Sequence, residues 1–187
     1  ILKKLKVDFV YLPQRKDIYN YFKRKIILRK KDKILCAKFR KGHFEGVIDV
    51  MQRLTKKINP NQIFLGEKDF QQLYLIKKYL QQRYKNTIVI CKTIRDNNYA
   101  ALSTRNQLLS KKEILSAGNI AKYLKKQKKI IKKKYLVNNY MSLFINKLEK
   151  KFNIKIEYLE LRNKKNLKNV NKFSKKYVLF FAYYINK

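Results

Sequence analysis

The sequence predicts an α/β chain: a parallel-sheet domain followed by a smaller α+β domain. Three observations carry this. Residues 44–94 read as helix, strand, helix, strand, an order that implies right-handed crossovers and a parallel sheet. Inside that alternation, Ile63-Phe64-Leu65 runs through Gly66 straight into a helical pattern. A strand, a glycine turn and a helix start form the unit that binds phosphates in α/β proteins, because the helix start presents free N–H groups and partial positive charge. Beyond Ser110, two helical patterns precede two strand patterns, which marks a separate α+β unit. A chain of 187 residues has room for two such domains, and the boundary is placed between residues 95 and 96.

From the start, Ile1 to Lys6 reads as the tail of a helix whose beginning is missing, and the first residue is not Met. The chain is therefore expected to be N-terminally truncated. Val7 to Leu12 is a near-continuous apolar run closed by Pro13, as in a buried parallel strand. Gln14 to Lys25 is a basic loop with aromatic insertions. Ile26–Leu28 and Lys33–Cys36 read as short edge strands, and Ala37–Gly42 as a loop. Phe44, Val47, Ile48, Met51, Leu54 and Ile58 then recur at helical spacing, and Asn59-Pro60-Asn61 stops that helix. Gln62–Leu65 is a buried strand. Gly66 permits a tight turn, and Phe70, Leu73, Ile76 and Leu80 define a helix to about Tyr84. Lys68 and Gln72 share a side if that helix includes both. Thr87–Ile94 is rich in Thr, Ile and Val, the composition of another buried strand.

Arg95 to Leu109 is a polar loop holding Leu102-Ser103-Thr104-Arg105-Asn106. Two hydroxyls, an Arg and backbone amides suit a phosphate chain; an ordinary interdomain linker is the competing reading. Ser110-Lys111-Lys112-Glu113 is a capping box that opens a helix. That helix is expected to fray into the lysine run Lys125–Lys134, which reads as a solvated face, with RNA contact as the alternative. A second helix covers Asn139 to Phe152. Ile154–Leu161 and Val178–Ile185 are the closing strands.

Lys and Arg exceed Asp and Glu by 48 to 12, for a net charge of +36. Such a charge ordinarily points to nucleic acid or an anionic surface. Here Lys, Asn, Ile, Tyr and Phe are inflated together and Trp is absent, a skew spread along the whole chain, so a dedicated nucleic-acid role is discounted. Average usage would give roughly 13 glycines, whereas the chain has 4. Three of the four, Gly42, Gly46 and Gly66, fall in one short span. Glu67 and Asp69 sit together in a chain otherwise poor in acids, which favours a ribose- and phosphate-binding turn over a plain Asp69 helix cap. Cys36 and Cys91 match no metal or redox spacing, so they read as buried fillers in a reducing compartment. The longest apolar stretch, Tyr177 to Ile185, is too short to span a bilayer.

Several motifs, in order, carry a resemblance. They are Arg40 with Gly42-His43-Phe44 and Gly46-Val47; Pro60; Gly66-Glu67-Lys68-Asp69-Phe70-Gln71-Gln72-Leu73; Thr93-Ile94-Arg95; and Leu102-Ser103-Thr104-Arg105-Asn106. Together they resemble the pantothenate synthetases, the pantoate–β-alanine ligases. Order and spacing agree from about Val7 to Ser110, and beyond that only the pattern of helices then strands agrees. The resemblance implies a Rossmann-like parallel-sheet nucleotidyltransferase domain over 1–95, incomplete at its N terminus, and an α+β lid domain, adjacent to a dimer contact, over 96–187. It implies that pantoate and ATP give pantoyl adenylate and pyrophosphate, and that β-alanine then displaces AMP to give pantothenate on the path to coenzyme A. Mg2+, a homodimer and a cytoplasmic location come with it; membrane and nucleic-acid partners do not.

Residue by residue, the resemblance puts Gly66 and Asp69 at the ribose, Lys68 at the phosphates and Glu67 in the same ATP-binding turn. It puts Gln72 on pantoate and the Ile94 backbone at the adenine. Leu102, Ser103, Thr104 and Arg105 would hold the triphosphate and stabilise departing pyrophosphate. Lys68 and Arg105 are the expected catalytic groups. His43 lies near the reacting centre in the family, and a structural role at the helix start is the competing reading. The family's N-terminal segment, with its paired-histidine nucleotide motif and a pantoate-binding glutamine, has no counterpart here, so this chain alone is expected to be inactive. Smaller departures are Lys41 and Lys92 where the family favours proline, Thr104 for serine, and Tyr99 for a loop glycine. A basic RNA-binding module and an inactive relative that keeps the fold are the rival readings.

Overall fold

The computed structural model describes residues 2–19, 26–81, 83–170 and 176–185. The chain divides into two compact units, Ile1–Cys91 and Lys92–Lys187.

In the first unit, α3 (His43–Ile58) and α4 (Phe70–Leu80) flank β1 (Gln62–Gly66), and β2 (Thr87–Cys91) follows. β1 and β2 pair in parallel, with Phe64 opposite Val89 and Gly66 opposite Cys91. The apolar faces of the helices bury Phe44 and Ile48 of α3 and Leu75, Ile76 and Leu80 of α4. Ile88 joins Ile76 and Leu80, with Val47, Met51, Ile63 and Leu65 packed around them. Asn59 takes a left-handed conformation (φ 50°) that ends α3, a role asparagine tolerates. The expected alternation of helix and parallel strand is therefore present.

The strands are not buried on both faces as expected. Phe64 is 63% exposed while its neighbours Ile63 and Leu65 pack with Ile88 against α4, so one face of the β1–β2 pair is covered by the helices and the other is open. β2 also stops at Cys91, short of Ile94.

The segment before α3 departs most from expectation. Leu2–Lys6 forms successive turns, and Val7–Leu12 is exposed irregular chain, with Phe9 92% exposed. An apolar run becomes a strand only where a partner edge meets it, and no strand among the described residues pairs with this one. Within the expected basic loop, Arg15–Ile18 forms the short helix α1, while residues 20–25 lie outside the described residues. Neither Ile26–Leu28 nor Lys33–Cys36 is a strand. Leu28 and Leu35 instead plug the core as single side chains, and Cys36–Phe39 forms the short helix α2 where a loop was expected. This segment is pinned to α4. Lys78 Nζ donates to both Asp32 carboxylate oxygens at 2.6 and 2.7 Å, the Tyr79 hydroxyl adds a bond at 3.2 Å, and Gln71 Nε2 donates to the Ile34 carbonyl at 2.6 Å.

The second unit holds α5 (Lys111–Lys134), α6 (Tyr140–Phe152), β3 (Ile154–Asn163) and β4 (Tyr177–Ile185). β3 and β4 pair antiparallel, and Ile131, Phe144, Leu148 and Leu159 form their shared core with the helices. The α+β expectation stands. The Ser110 capping box is present, with Glu113 N donating to Ser110 Oγ and Ser110 N to Glu113 Oε2. The lysine run does not fray: α5 continues to Lys134, tied down by Ile131 at 1% exposure.

Candidate active site

The carboxyl ends of β1 and β2 lie at Gly66 and Cys91, where ligands bind in parallel α/β sheets. Glu67–Asp69 forms one turn of 3-10 helix there, and α4 begins at Phe70. Two sequence-based expectations change here. Gly66 is extended (φ −70°, ψ 131°), so no tight turn requires glycine. A Cβ at Gly66 would meet nothing within 4 Å, so internal packing does not require it either. Lys68 precedes α4, which removes the i,i+4 argument for pairing it with Gln72. Asp69 occupies the N-cap position of α4 but makes no side-chain cap bond.

What remains at this corner is chemically open. Lys68 and Asp69 are exposed, and neither side chain holds a hydrogen bond or ion pair among the described residues. Glu67 is half-buried and engaged. Gln72, in the first turn of α4, is half-buried. Its neighbour Gln71 is buried and structural, holding Ile34. Gly42 (φ +78°) is left-handed, which favours glycine, and places His43 as the first residue of α3. The His43 ring is half-buried, 5.0 Å from the Phe44 ring.

In the second unit, Ile94 and Leu102 are joined backbone to backbone, Leu102 N to Ile94 O at 3.0 Å. A bridge between Arg95 and Ala101 closes the intervening residues into a hairpin-like loop, not a plain linker. Ser103 follows in extended conformation, and its Oγ accepts from Arg105 N at 3.3 Å to start a 3-10 helix over Thr104–Leu108. Asn106 Nδ2 donates to the Ala101 carbonyl at 3.1 Å, fixing the turn from below. Leu102, Thr104 and Arg105 stay exposed. The structure thus gathers Gly66, Glu67, Lys68, Asp69 and Gln72 at one sheet end. It gathers Ile94, Leu102, Ser103, Thr104 and Arg105 on one loop.

Two open hollows among the described residues involve none of these side chains. One, of about 530 Å3, lies between Asn59–Asn61 and Arg83–Asn86, at the amino ends of the strands. The other, of about 540 Å3, lies beside the start of α3 against Ile26, Ile27 and Lys33. Among the described residues, no three His, Cys, Asp or Glu side chains group as a metal site, and no helix is long and apolar enough to cross a membrane. Cys36 and Cys91 are free thiols. Cys91 is exposed, which corrects its reading as a buried filler: β2 ends there, on the open side of the pair.

Sequence reasoning passed over two groups, the Asp32–Lys78 pair and the Tyr99 loop with its contact on α5. Two residues bear on the second: Tyr99, already singled out in the loop, and Gly118, a glycine inside a long helix in a chain with 4 glycines.

Comparison with known proteins bears on the chain as a whole. The family model described as pantoate-beta-alanine ligase matches residues 1–187. The pantothenate synthetase of a Sulfurihydrogenibium species is 31% identical over 99% of this chain and 68% of its own length. The bifunctional pantoate ligase/cytidylate kinase of Prochlorococcus marinus is 39% identical over 87% of this chain and 32% of its own. Among solved structures, pantothenate synthetase from Thermus thermophilus superposes with a TM-score of 0.82 at 21% identity, over 98% of this chain and 68% of that one. Pantoate-beta-alanine ligase from Francisella tularensis, complexed with beta-gamma ATP and beta-alanine, gives 0.74 at 29%, over 99% of this chain and 63% of that one. The chain thus spans about two thirds or less of the length of these relatives. With a family model matched from end to end and relatives above 30% identity, this chain belongs to the pantoate–β-alanine ligase family.

Proposed function

We propose that this chain supplies the larger part of an ATP-dependent ligase that joins pantoate to β-alanine. A pantoate carboxylate oxygen attacks the α-phosphorus of ATP, the bond to the bridging oxygen breaks, and pyrophosphate leaves. The β-alanine amine then attacks the acyl carbon, AMP departs, and the amine loses a proton as the amide forms. The carboxylate needs positioning more than activation, since it is already ionised at neutral pH, whereas the β-alanine ammonium must first give a proton to water or buffer base before its amine can attack. Catalysis is then orientation plus charge stabilisation.

The observation that carries this reading is the corner at Gly66. The fold itself does not require glycine there, and Lys68 and Asp69 have no partner to satisfy among the described residues. Residues uncommitted to the fold, at the ligand-binding end of a parallel pair, are free for a ligand. Gly66 admits the ribose close to the backbone, Asp69 accepts from its hydroxyls, and Glu67 braces the turn. Lys68 faces the phosphates. Gln72 orients pantoate. The Ile94 backbone meets adenine, while Leu102, Ser103, Thr104 and Arg105 hold the triphosphate and take up charge as pyrophosphate leaves. His43 stands at the start of α3, where a polar side chain can reach the substrates.

A Mg2+ ion, proposed on family resemblance, would enter with the triphosphate. Such an ion neutralises phosphate charge; the chain's own contribution is Lys68 and Arg105. The open face of the β1–β2 pair, with Phe64 exposed, supports a chain that works within a longer protein. We also propose a homodimer, on family resemblance, and a cytoplasmic location, in keeping with two free thiols.

The test is Lys68→Ala in the complete protein, read by pantoate-dependent exchange of pyrophosphate into ATP. Loss of one preorganised charged contact removes about 3–4 kcal/mol, a few hundredfold in rate. Lys68 is exposed, so the fold should be unchanged. Exchange at the wild-type rate would refute the assignment.

A further inference from the structure

We propose that Gly118 is a positioning residue for the nucleotide loop, because only a residue without a side chain lets that loop lie on α5. The inference rests on the function proposed above. A Cβ built at Gly118 would fall 2.1 Å from the Asn98 carbonyl oxygen, 2.9 Å from its carbon and 3.3 Å from Ala100 N. All three are backbone atoms, so no side chain can swing away to make room. Glycine inside a helix is unfavourable relative to alanine, yet α5 carries one here.

The loop that Gly118 admits is itself stiff. Asp96 N donates to Ala100 O at 2.9 Å, Tyr99 N to Asp96 O at 2.9 Å, and Ala100 N to Asp96 Oδ1 at 2.8 Å. Ala100 is 2% exposed. Arg95 Nη1 donates to Tyr99 O at 3.1 Å. Tyr99 is held at φ +78°, where a bulky residue is strained. The Arg95 guanidinium lies 4.8 Å and the Lys125 ammonium 4.9 Å from the centre of its ring. Lys125 sits two turns beyond Gly118, on the same side of α5. The helix therefore grips the loop twice, by close approach at Gly118 and by a cation on the Tyr99 ring at Lys125.

Both ends of this loop matter to ATP in the proposed function. Ile94 leads in and Leu102 to Arg105 lead out, tied by the bond from Leu102 N to Ile94 O. Moving Asn98–Ala100 off the helix shifts the adenine contact and the triphosphate clamp together. Neither Gly118 nor Lys125 is assigned a contact with substrate.

The experiment is Gly118→Ala in the complete protein, with KM for ATP and for β-alanine measured separately. Displacement of about 1 Å in a positioned group changes rates by up to a hundredfold, so KM for ATP should rise at least tenfold while KM for β-alanine stays within about twofold. Lys125→Gln is the companion. It is exposed and leaves the fold intact, and loss of one cation–ring contact should raise KM for ATP about two- to fivefold. Amide hydrogen exchange at Ala100 and Leu102 reads the docking directly: both should lose protection in Gly118→Ala. A folded Gly118→Ala protein with unchanged KM for ATP overturns the proposal. If that variant does not fold, an unchanged KM for ATP in Lys125→Gln overturns it. A wild-type protein without ATP–pyrophosphate exchange defeats the ligase reading instead, and the amide protection then decides the docking on its own.

Discussion

Replacing Asp32 by Asn isolates one buried charge that the first unit depends on. The carboxylate is 4% exposed and accepts from Lys78 Nζ at 2.6 and 2.7 Å and from the Tyr79 hydroxyl at 3.2 Å. Removing one partner of a buried pair costs about 3–5 kcal/mol, since the other charge is left uncompensated. Here the figure is discounted, because the Lys78 side chain is 19% exposed and can reach water. The amide also keeps one acceptor. About 2–4 kcal/mol remains. For a unit of this size, 1 kcal/mol moves the melting temperature by about 4–8 °C, so a fall of roughly 10–25 °C is expected. Two units need not melt together, so the probe must be local: hydrogen exchange of the α4 amides, 70–80, reports the first unit alone. The double variant Asp32→Asn/Lys78→Met should recover part of the loss, because no charge is then stranded. Protection of α4 within about 0.5 kcal/mol of wild type in the single variant would refute the reasoning, and the pair would have to be counted as an exposed one.

Four further outcomes are expected. Gly66→Val should leave thermal stability within about 0.5 kcal/mol, since the position is extended and open, yet raise KM for ATP; a fall in stability with unchanged KM would place its role in the fold. Gly42→Ala should lower stability by about 1–2 kcal/mol in urea unfolding, because φ is +78° there. Ser110→Ala should lower it by about 1 kcal/mol through loss of the capping box at α5, read as reduced protection of the first-turn amides. Burial holds the Tyr79, Tyr140 and Tyr183 phenols above their ordinary range. Their folded pKa values exceed the unfolded value near 10, so their contribution is present below about pH 10 and is lost as pH rises beyond it. Melts at pH 9 and 11, with tyrosinate absorbance followed alongside, check the direction.

The elements legible in the sequence were those long enough to show a period. α3 and α4 declare themselves by Phe44, Ile48, Leu73, Ile76 and Leu80, and α5 by its capping box. β1 to β4 follow from their composition and place in the order. Shorter or partner-dependent pieces were not legible. Four residues at Cys36–Phe39 cannot show a helical period, and Val7–Leu12 has strand composition without a strand partner among the described residues. Site residues followed the same rule. Gly66, Lys68, Asp69 and the Ser103–Arg105 turn stand contiguous in sequence and could be read as motifs. The contact of Asn98 with Gly118 joins residues twenty apart through a helix face, and only folded geometry exposes it. The turn argument for Gly66 does not hold, since the backbone there is ordinary and the space above it is open.

The far half of α5 has an uncommon dependence on its solvent. Lys122 and Lys126, Lys125 and Lys129, Lys128 and Lys132, and Lys129 and Lys133 stand one turn apart in a helix whose single acid is Glu113. Burial, and then Lys128, hold the Lys132 ammonium below its ordinary pKa. Each like-charged pair opposes the helix by about 0.2–0.5 kcal/mol, and mobile ions mute that repulsion over about 10 Å at 0.1 M. Where most surface ion pairs weaken as electrolyte is added, this segment should tighten. Dilute buffer is therefore the condition under which Lys122–Lys134 unwinds first, against the hold of Tyr123, Leu124 and Ile131 on the core.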